Sequence, residues 1–514
     1  MLFVTLGQNG VRNWQDIWRD KMNKVIEYLQ KEFGYSDLST EYYDKIKMWI
    51  DAWKGDAEWL NVKTIDGKTY PMYSLGMAKR SSEDLASIIT SEPFTIKASK
   101  SDKLLQEDIE KVNLLEKLPD AIDKMAYTGT VGTVIRIKNA EVVGEDENAF
   151  LRKTNKTKKE IINIKANQIL PLTWENGELV DVAFTSDIVK VIGGKQKKII
   201  YIEIHQLKEQ GYQITNVYLD AENGKPVEIE GVIPTYNTLS QVPMFAINKM
   251  PKSNIYDNNM GLGMALYGDS TDQLQMLDLV YNNFGQDFKL GQKIMVINKK
   301  LTRIEQEEYT DKDGNIKIRN KVVYPSDIQK QQFMEITDGL MGDGTNTPYI
   351  YEYNPDLRVG DNKEGIQFAL DNFAFKIGFG THYYSFEKGG LTTATEAVLS
   401  RQDFVINGNK IRKGTNEYLK AVCRALLLSE KILGNASIDE TQEIDIAEVD
   451  NFLASDEAIR DRLLNDVNAG LISKRRYLKT VYKMTDKEID EELKNMDNEI
   501  NIDNLSITEE DITE

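Results

Sequence analysis

Cysteine and histidine are nearly missing from this chain of 514 residues, which holds one of the first and two of the second. So few ligands cannot build a Cys/His zinc site or a disulfide framework. A cysteine-poor pattern suits a reducing compartment. Cys423, within Ala421-Val422-Cys423-Arg424-Ala425-Leu426, reads as a small core residue, and His205, in the alternating run from Ile200, as a position on one face of a strand. No apolar run approaches the ~18 residues of a membrane helix. Met1-Leu2-Phe3-Val4-Thr5-Leu6 is too short and uncharged for a signal peptide, so a soluble, intracellular chain with no membrane partner is expected.

Positive charge is also in short supply, with 64 Lys and Arg against 82 Asp and Glu and a net charge of −18. Sequence-independent affinity for DNA comes from neutralising phosphates, so a tight DNA grip is not expected. An acidic wall along which a duplex slides without sticking remains compatible with this charge, as does acidity that serves solubility alone. No catalytic constellation is visible: among so many carboxylates paired spacings arise by chance, and none sits with a histidine, a phosphate-cradling loop or a metal-ligand spacing. Gly194-Lys195 is no P-loop, because no glycine stands five residues ahead of Gly194 and Gln196 replaces the magnesium-binding hydroxyl. Gly261-Leu262-Gly263 lacks the third glycine of a dinucleotide fingerprint and is read as opening a helix. Asp311 to Asn315 lacks the downstream glutamate of a calcium loop and reads as a hairpin tip. No cofactor, metal or enzymatic activity is expected, and a metal-dependent DNA-processing enzyme stands only as an alternative.

The length suggests two to four units. The first part is helical, with Trp14, Ile17, Val25 and Leu29 at helical spacing and a second amphipathic run from Met72 to Thr90. From about Val131 the period changes to two, and Asn176-Gly177, Gly193-Gly194 and Asn223-Gly224 punctuate the strands as hairpin turns up to Pro251. A helix follows in which Leu274, Leu277, Tyr281, Phe284 and Phe288 form an apolar stripe and Asp269, Asp272, Asp278 and Asp287 the polar surface. The helix from Asp361 to Gly380 is apolar on two sides, with Ile366, Leu370, Phe373 and Ile377 on one and Phe368, Phe375 and Phe379 on the other. Such a helix needs neighbours on both sides, either inside one chain or between subunits of a ring. Between these helices lies a β-containing insert with a loop at Met341 to Pro348, read as a projecting tip.

The junction Gly389-Gly390-Leu391-Thr392-Thr393-Ala394-Thr395-Glu396 joins a loop to a long helix, with Thr393 and Glu396 as a capping box. A plain helix cap is the common reading of one such box; the glycines before it leave His382 to Gly390 free to swing on a rigid base. The long helix carries Arg401, Lys410, Arg412, Lys413, Lys420 and Arg424, and Asn407-Gly408-Asn409 predicts a kink or break in it. Shorter helical patterns follow at Ala458 to Val467, Lys474 to Tyr482 and Lys487 to Leu493. From Asp486 onward there are twelve acids against two lysines, and about the last fifteen residues read as disordered.

Taken in order, Trp49-Ile50-Asp51-Ala52-Trp53-Lys54-Gly55-Asp56, the Met77 to Ser87 helix, Gly261-Leu262-Gly263 ahead of Leu277 to Phe284, the aromatic loop and the LTTATE junction resemble one family. It is that of the portal, or head-to-tail connector, proteins of tailed bacteriophages, in the branch typical of siphophages of Gram-positive hosts; only the last hundred residues or so match loosely. The resemblance implies an α+β portal fold: a wing over 1–260, helical and then β-rich, stem helices over 261–292 and 361–381, and a small α/β clip over 293–360. A tunnel loop over 382–393, a long kinked helix over 394–432 and a helical crown region over 433–514 complete it. It implies a DNA-channel loop of His382, Tyr383, Tyr384, Phe386, Lys388, Gly389, Gly390 and Thr392, capped by Thr393 and Glu396. Subunits would pack in the stem through Phe368, Phe373, Phe375, Ile377 and Phe379, and the kink would lie at Asn407, Gly408 and Asn409. The implied assembly is a ring, usually a dodecamer, in the virion at one capsid vertex, built in the host cytoplasm, with double-stranded DNA passing through it. Its implied partners are the terminase large subunit, a head-completion or adaptor protein, and the major capsid and scaffolding proteins. Another virion structural protein, a minor head or scaffolding component, is the alternative within the same setting.

Overall fold

The computed structural model describes residues 14–36, 38–63, 67–144, 150–192, 194–229, 233–291, 293–298, 303–310, 314–323, 333–336, 350–386, 402–447, 456–482, 484 and 488–495. The fold is mixed α+β. It divides into two compact units, one of residues 1–91 and 96–445 and the other of 92–95 and 446–514.

The larger unit starts with helices Trp14–Phe33, Glu41–Lys54, Met77–Ile89, Asp102–Val112 and Leu114–Thr128. The first buries Met22, Val25, Ile26 and Leu29, a spacing of three and four that lines one helical face. The second buries Tyr42, Tyr43, Ile46, Trp49 and Ile50, each large side chain contributing ~1.5–3 kcal/mol by leaving water. Its Trp-Lys-Gly-Asp ending has a local cause. Gly55 adopts φ 77 and the Asp56 N–H returns to the Asp51 carbonyl at 2.8 Å, satisfying carbonyls that the last helical turn leaves open.

From Thr130 to Lys249 the unit is β-rich. Five antiparallel strands lie in the order Thr235–Asn237, Gly211–Asp220, Lys195–Lys208, Glu178–Ile192, Ile169–Glu175. Three more form a sheet with Thr130–Lys138 between Phe245–Lys249 and Lys158–Lys165. The Asn176-Gly177 turn adopts φ 50 and 83, the left-handed pair that a two-residue hairpin requires. His205 is fully buried on its strand, where its Nε2 meets Glu203 Oε1 at 3.2 Å and Glu203 pairs with Arg136. Cys423 is buried, and burial pushes its thiol up to about 12.

The segment Gly261-Leu262-Gly263 does not open a helix; the next helix starts ten residues later, at Thr271. It is instead a buried irregular strap. The Gly263 N–H donates to Thr130 Oγ1 at 2.7 Å, and its carbonyl accepts from the Tyr42 hydroxyl at 2.7 Å. A Cβ on Gly263 would run into the Gly129 backbone. The second glycine is therefore required by close backbone contact rather than by a helix start or a phosphate.

Helices Thr271–Leu290 and Val359–Ile377 pack on one another antiparallel and bracket the insert. There Ile294–Asn298 pairs with Phe333–Ile336 in parallel and Ile350–Tyr353 antiparallel, while Arg303–Thr310 and Ile316–Val323 form the expected hairpin. The tip residues 311–313 and the loop 341–348 lie outside the described residues. The helix Gln402–Ile432 runs unbroken through Asn407, Gly408 and Asn409, so of the expected kink or break the break is not there. Asn407 instead makes a tertiary contact. Its Nδ2 donates to the Gly378 carbonyl at 2.9 Å, tying this helix to the end of Val359–Ile377.

The smaller unit contains helices Asp456–Asn468 and Lys474–Val481, close to the expected bounds, and a helical stretch at 488–495. Ser473 caps the second, and Arg475 reaches Asp490 at 2.6 Å.

Candidate interaction site on the paired helices

On Val359–Ile377 the buried face is made by Ile366, Ala369, Leu370, Phe373, Ala374 and Ile377. Gly365 faces the partner helix, where a Cβ would make an ordinary contact with Val280 at 3.5 Å. At the insert end, Arg358 grips both oxygens of Asp287 at 2.8 and 2.9 Å and Asn362 adds a bond of 2.7 Å. These partners, Asn362 and then Arg358, hold the Asp287 carboxyl below the usual range. At the other end, buried Asp278 accepts from Trp59 Nε1 at 3.0 Å, Ser74 Oγ at 2.8 Å and the Leu75 N–H at 3.0 Å. Asp278 and Asp287 thus fasten the helix internally, although the sequence pattern places both on a polar surface. Phe288, read as part of the apolar stripe, is 46% exposed.

The five side chains expected between subunits separate into two groups. Phe373, Ile377 and Phe379 are buried within the chain, and Phe379 and Phe404 have ring centroids 5.2 Å apart. Phe368 and Phe375, seven residues and two turns apart on one face, are 62% and 63% exposed. Met276, Leu279 and Leu290 form a second exposed apolar stripe, on Thr271–Leu290. Burial is therefore one-sided within the chain.

The loop after Ile377 folds back along its own helix. Gly378 at φ 86 closes the helix, and the Phe379 N–H returns to Ala374 at 2.8 Å. Asp371 accepts from the His382 N–H at 3.1 Å and pairs with its ring at 3.1 Å. Gln367 donates to the Tyr384 carbonyl at 2.9 Å. Residues 382–384 are fastened rather than free to swing. Tyr383 and Tyr384 turn inward onto Phe379 and Phe404, and burial, followed by the charge of Asp84, pushes the Tyr384 phenol well up. Neither is an exposed tip; His382 and Phe386 are. Lys388, Gly389, Gly390, Thr392, Thr393 and Glu396 lie outside the described residues.

Among the described residues no cluster of three His, Cys, Asp or Glu side chains is placed to hold a metal ion, and no helix is long and apolar enough to cross a membrane. Compared with known protein families and with curated proteins, the chain matches none.

Proposed function

We propose that the chain is the protomer of a phage portal, a ring at one capsid vertex through which double-stranded DNA is packaged and ejected. The observation that carries this reading is the antiparallel helix pair with a β insert at one end and Phe368 and Phe375 exposed along one face. A heterologous contact repeated around a closed ring buries the same stripe in every copy without changing the protomer's own core. In this reading the insert projects toward the terminase large subunit and later the adaptor, and the wing faces capsid and scaffolding proteins. His382 and Phe386 belong to the DNA-facing loop. With a net charge of −18 the body repels phosphates, so contact with the sliding duplex is weak.

Native mass spectrometry and end-on electron micrographs of the purified chain test the proposal. Closed rings are expected, and the Phe368→Asp, Phe375→Asp double variant is expected to give folded monomers, because both side chains already lie outside the core. Folded monomers of the unmodified chain at micromolar concentration across several salt conditions would overturn it.

A further inference from the structure

The strands Glu178–Ile192 and Lys195–Lys208 outrun their neighbours in the five-stranded sheet. On its outer side Glu178–Ile192 is paired only as far as Phe184, opposite Ile169. Lys195–Lys208 is paired on its far side only from Ile199 onward. Beyond these points the two strands form a ladder only with each other among the described residues, in register from Ile188 opposite Ile199 to Ile192 opposite Lys195; the Ala221 N–H donates to the Lys198 carbonyl at 3.1 Å, and Asp187, the one acid of the edge, is already paired with Lys21 at 2.7 Å. The result is a two-stranded ribbon with an open edge over 186–192.

Its surface differs from that of the rest of the chain. Val189 and Val191, on one face with Gln196 and Lys198, are 62% and 68% exposed. Residues 188–202 contain four lysines and no acid, in a chain whose net charge is −18. Lys197 reaches Asp220 at 3.4 Å, whereas the Lys190, Lys195 and Lys198 side chains meet no carboxylate among the described residues. Lysines do guard open strand edges against chance pairing. A guard alone does not account for two well-exposed valines beside the edge, which favour the very pairing it should prevent.

We propose that this ribbon is a docking site for an extended segment of another protein with acidic and apolar residues at alternate positions, which adds as a strand along 186–192. Edge N–H and C=O groups would supply the backbone bonds, Val189 and Val191 the apolar contact on one face, and Lys190 and Lys195 the charge complement on the other. A nucleic acid fits less well. Three lysines neutralise few phosphates, and a duplex offers nothing to the valines or to the strand edge.

The test uses the full chain and a fluorescein-labelled peptide of about ten residues that alternates Ile with Asp and Glu, the period that strand addition reads. Saturable binding by anisotropy is expected, with slowed amide exchange at 186–192. Binding should weaken by at least about tenfold both in the Val189→Thr, Val191→Thr variant and in the Lys190→Glu, Lys195→Glu variant. All four side chains are exposed, and unchanged circular dichroism will verify that the variants fold. The Phe368→Asp, Phe375→Asp variant should bind equally, since the ribbon does not depend on ring formation. No binding, loss in the lysine variant without loss in the valine variant, unchanged exchange at 186–192, or displacement of the peptide by equimolar duplex DNA would each overturn the proposal.

Discussion

Replacing Asp278 with alanine removes the one acceptor shared by three donors from another part of the chain, Trp59, Ser74 and Leu75. A hydrogen bond to a charged acceptor is worth about 1.5–3 kcal/mol, and a donor stranded out of water costs about 1–3 kcal/mol. The Ser74 hydroxyl can rotate to another partner, whereas the Trp59 indole and the Leu75 amide cannot. Two stranded, part-buried donors give an expected loss of about 2–4 kcal/mol. Asp278→Asn keeps one acceptor oxygen and turns an NH2 group toward a donor, so about 2 kcal/mol is expected. A chain of this size need not unfold in one step, so global denaturation alone would blur the effect. The readouts are amide exchange at Leu75 and the Trp59 emission during urea titration, with Trp59→Phe identifying its signal. The alanine variant should exchange faster at Leu75 and lose Trp59 order at lower urea, with the asparagine variant between it and the parent. An alanine variant within about 0.5 kcal/mol of the parent, with Leu75 exchange unchanged, would refute the reasoning, since surface substitutions alone fall in that range.

Two further outcomes follow from buried charges. Lys159 lies between Asp108 and Glu430, meeting the latter at 2.7 Å, so Lys159→Met leaves buried Asp108 and part-buried Glu430 without their shared cation; a loss of about 3–5 kcal/mol at neutral pH is expected, shrinking as the pH falls and they take up protons. Burial pushes the Glu203 carboxyl up, but Arg136 and His205 outweigh it and hold it at about 2, below its ordinary 4.5. A depressed carboxyl stabilises the fold fully above the unfolded value and loses that contribution as pH falls through the folded one. The stability gap between the parent and Glu203→Gln should therefore be constant above pH 4.5 and close toward pH 2; a gap that widens on acidification would show the sign to be wrong.

Much of the fold can be read from local pattern because local physics decides it. The helix Met77–Ile89 follows from apolar spacing, and the Asn176-Gly177 hairpin from a turn that only such residues adopt cheaply. Gly263 and Asn407 escape local pattern for a shared reason. A glycine between two asparagines lowers helix propensity, but propensity is a weak prior that packing overrides, and a glycine pair ahead of an apolar run reads as a helix start whether or not packing makes it one. The Gly263 backbone is held against Gly129, far away in sequence, and Asn407 is held to Gly378. Nothing within a short window around either residue encodes those contacts.

The candidate site is legible to about the same depth. That Val359–Ile377 is apolar on two sides is plain in the sequence, but which side the chain covers itself depends on Thr271–Leu290 and on Phe404, and only the structure separates Phe373 from Phe375. Asp278 does leave a trace: it lies four residues after buried Leu274 and beside buried Leu277, an acid in the middle of an apolar stripe. A carboxylate in that position must find donors, because an unpaired one cannot be buried. The Asp287 and Arg358 clasp leaves none, since the two are 71 residues apart and each resembles any surface charge. The same asymmetry bears on the proposed ring. A stripe buried inside one chain persists because the core needs it, whereas Phe368 and Phe375 contribute nothing to this chain's core and expose a large apolar area. Their place on one face, two turns apart, is what the proposed ring uses, because in a closed ring a second copy of the chain would supply a surface of matching length.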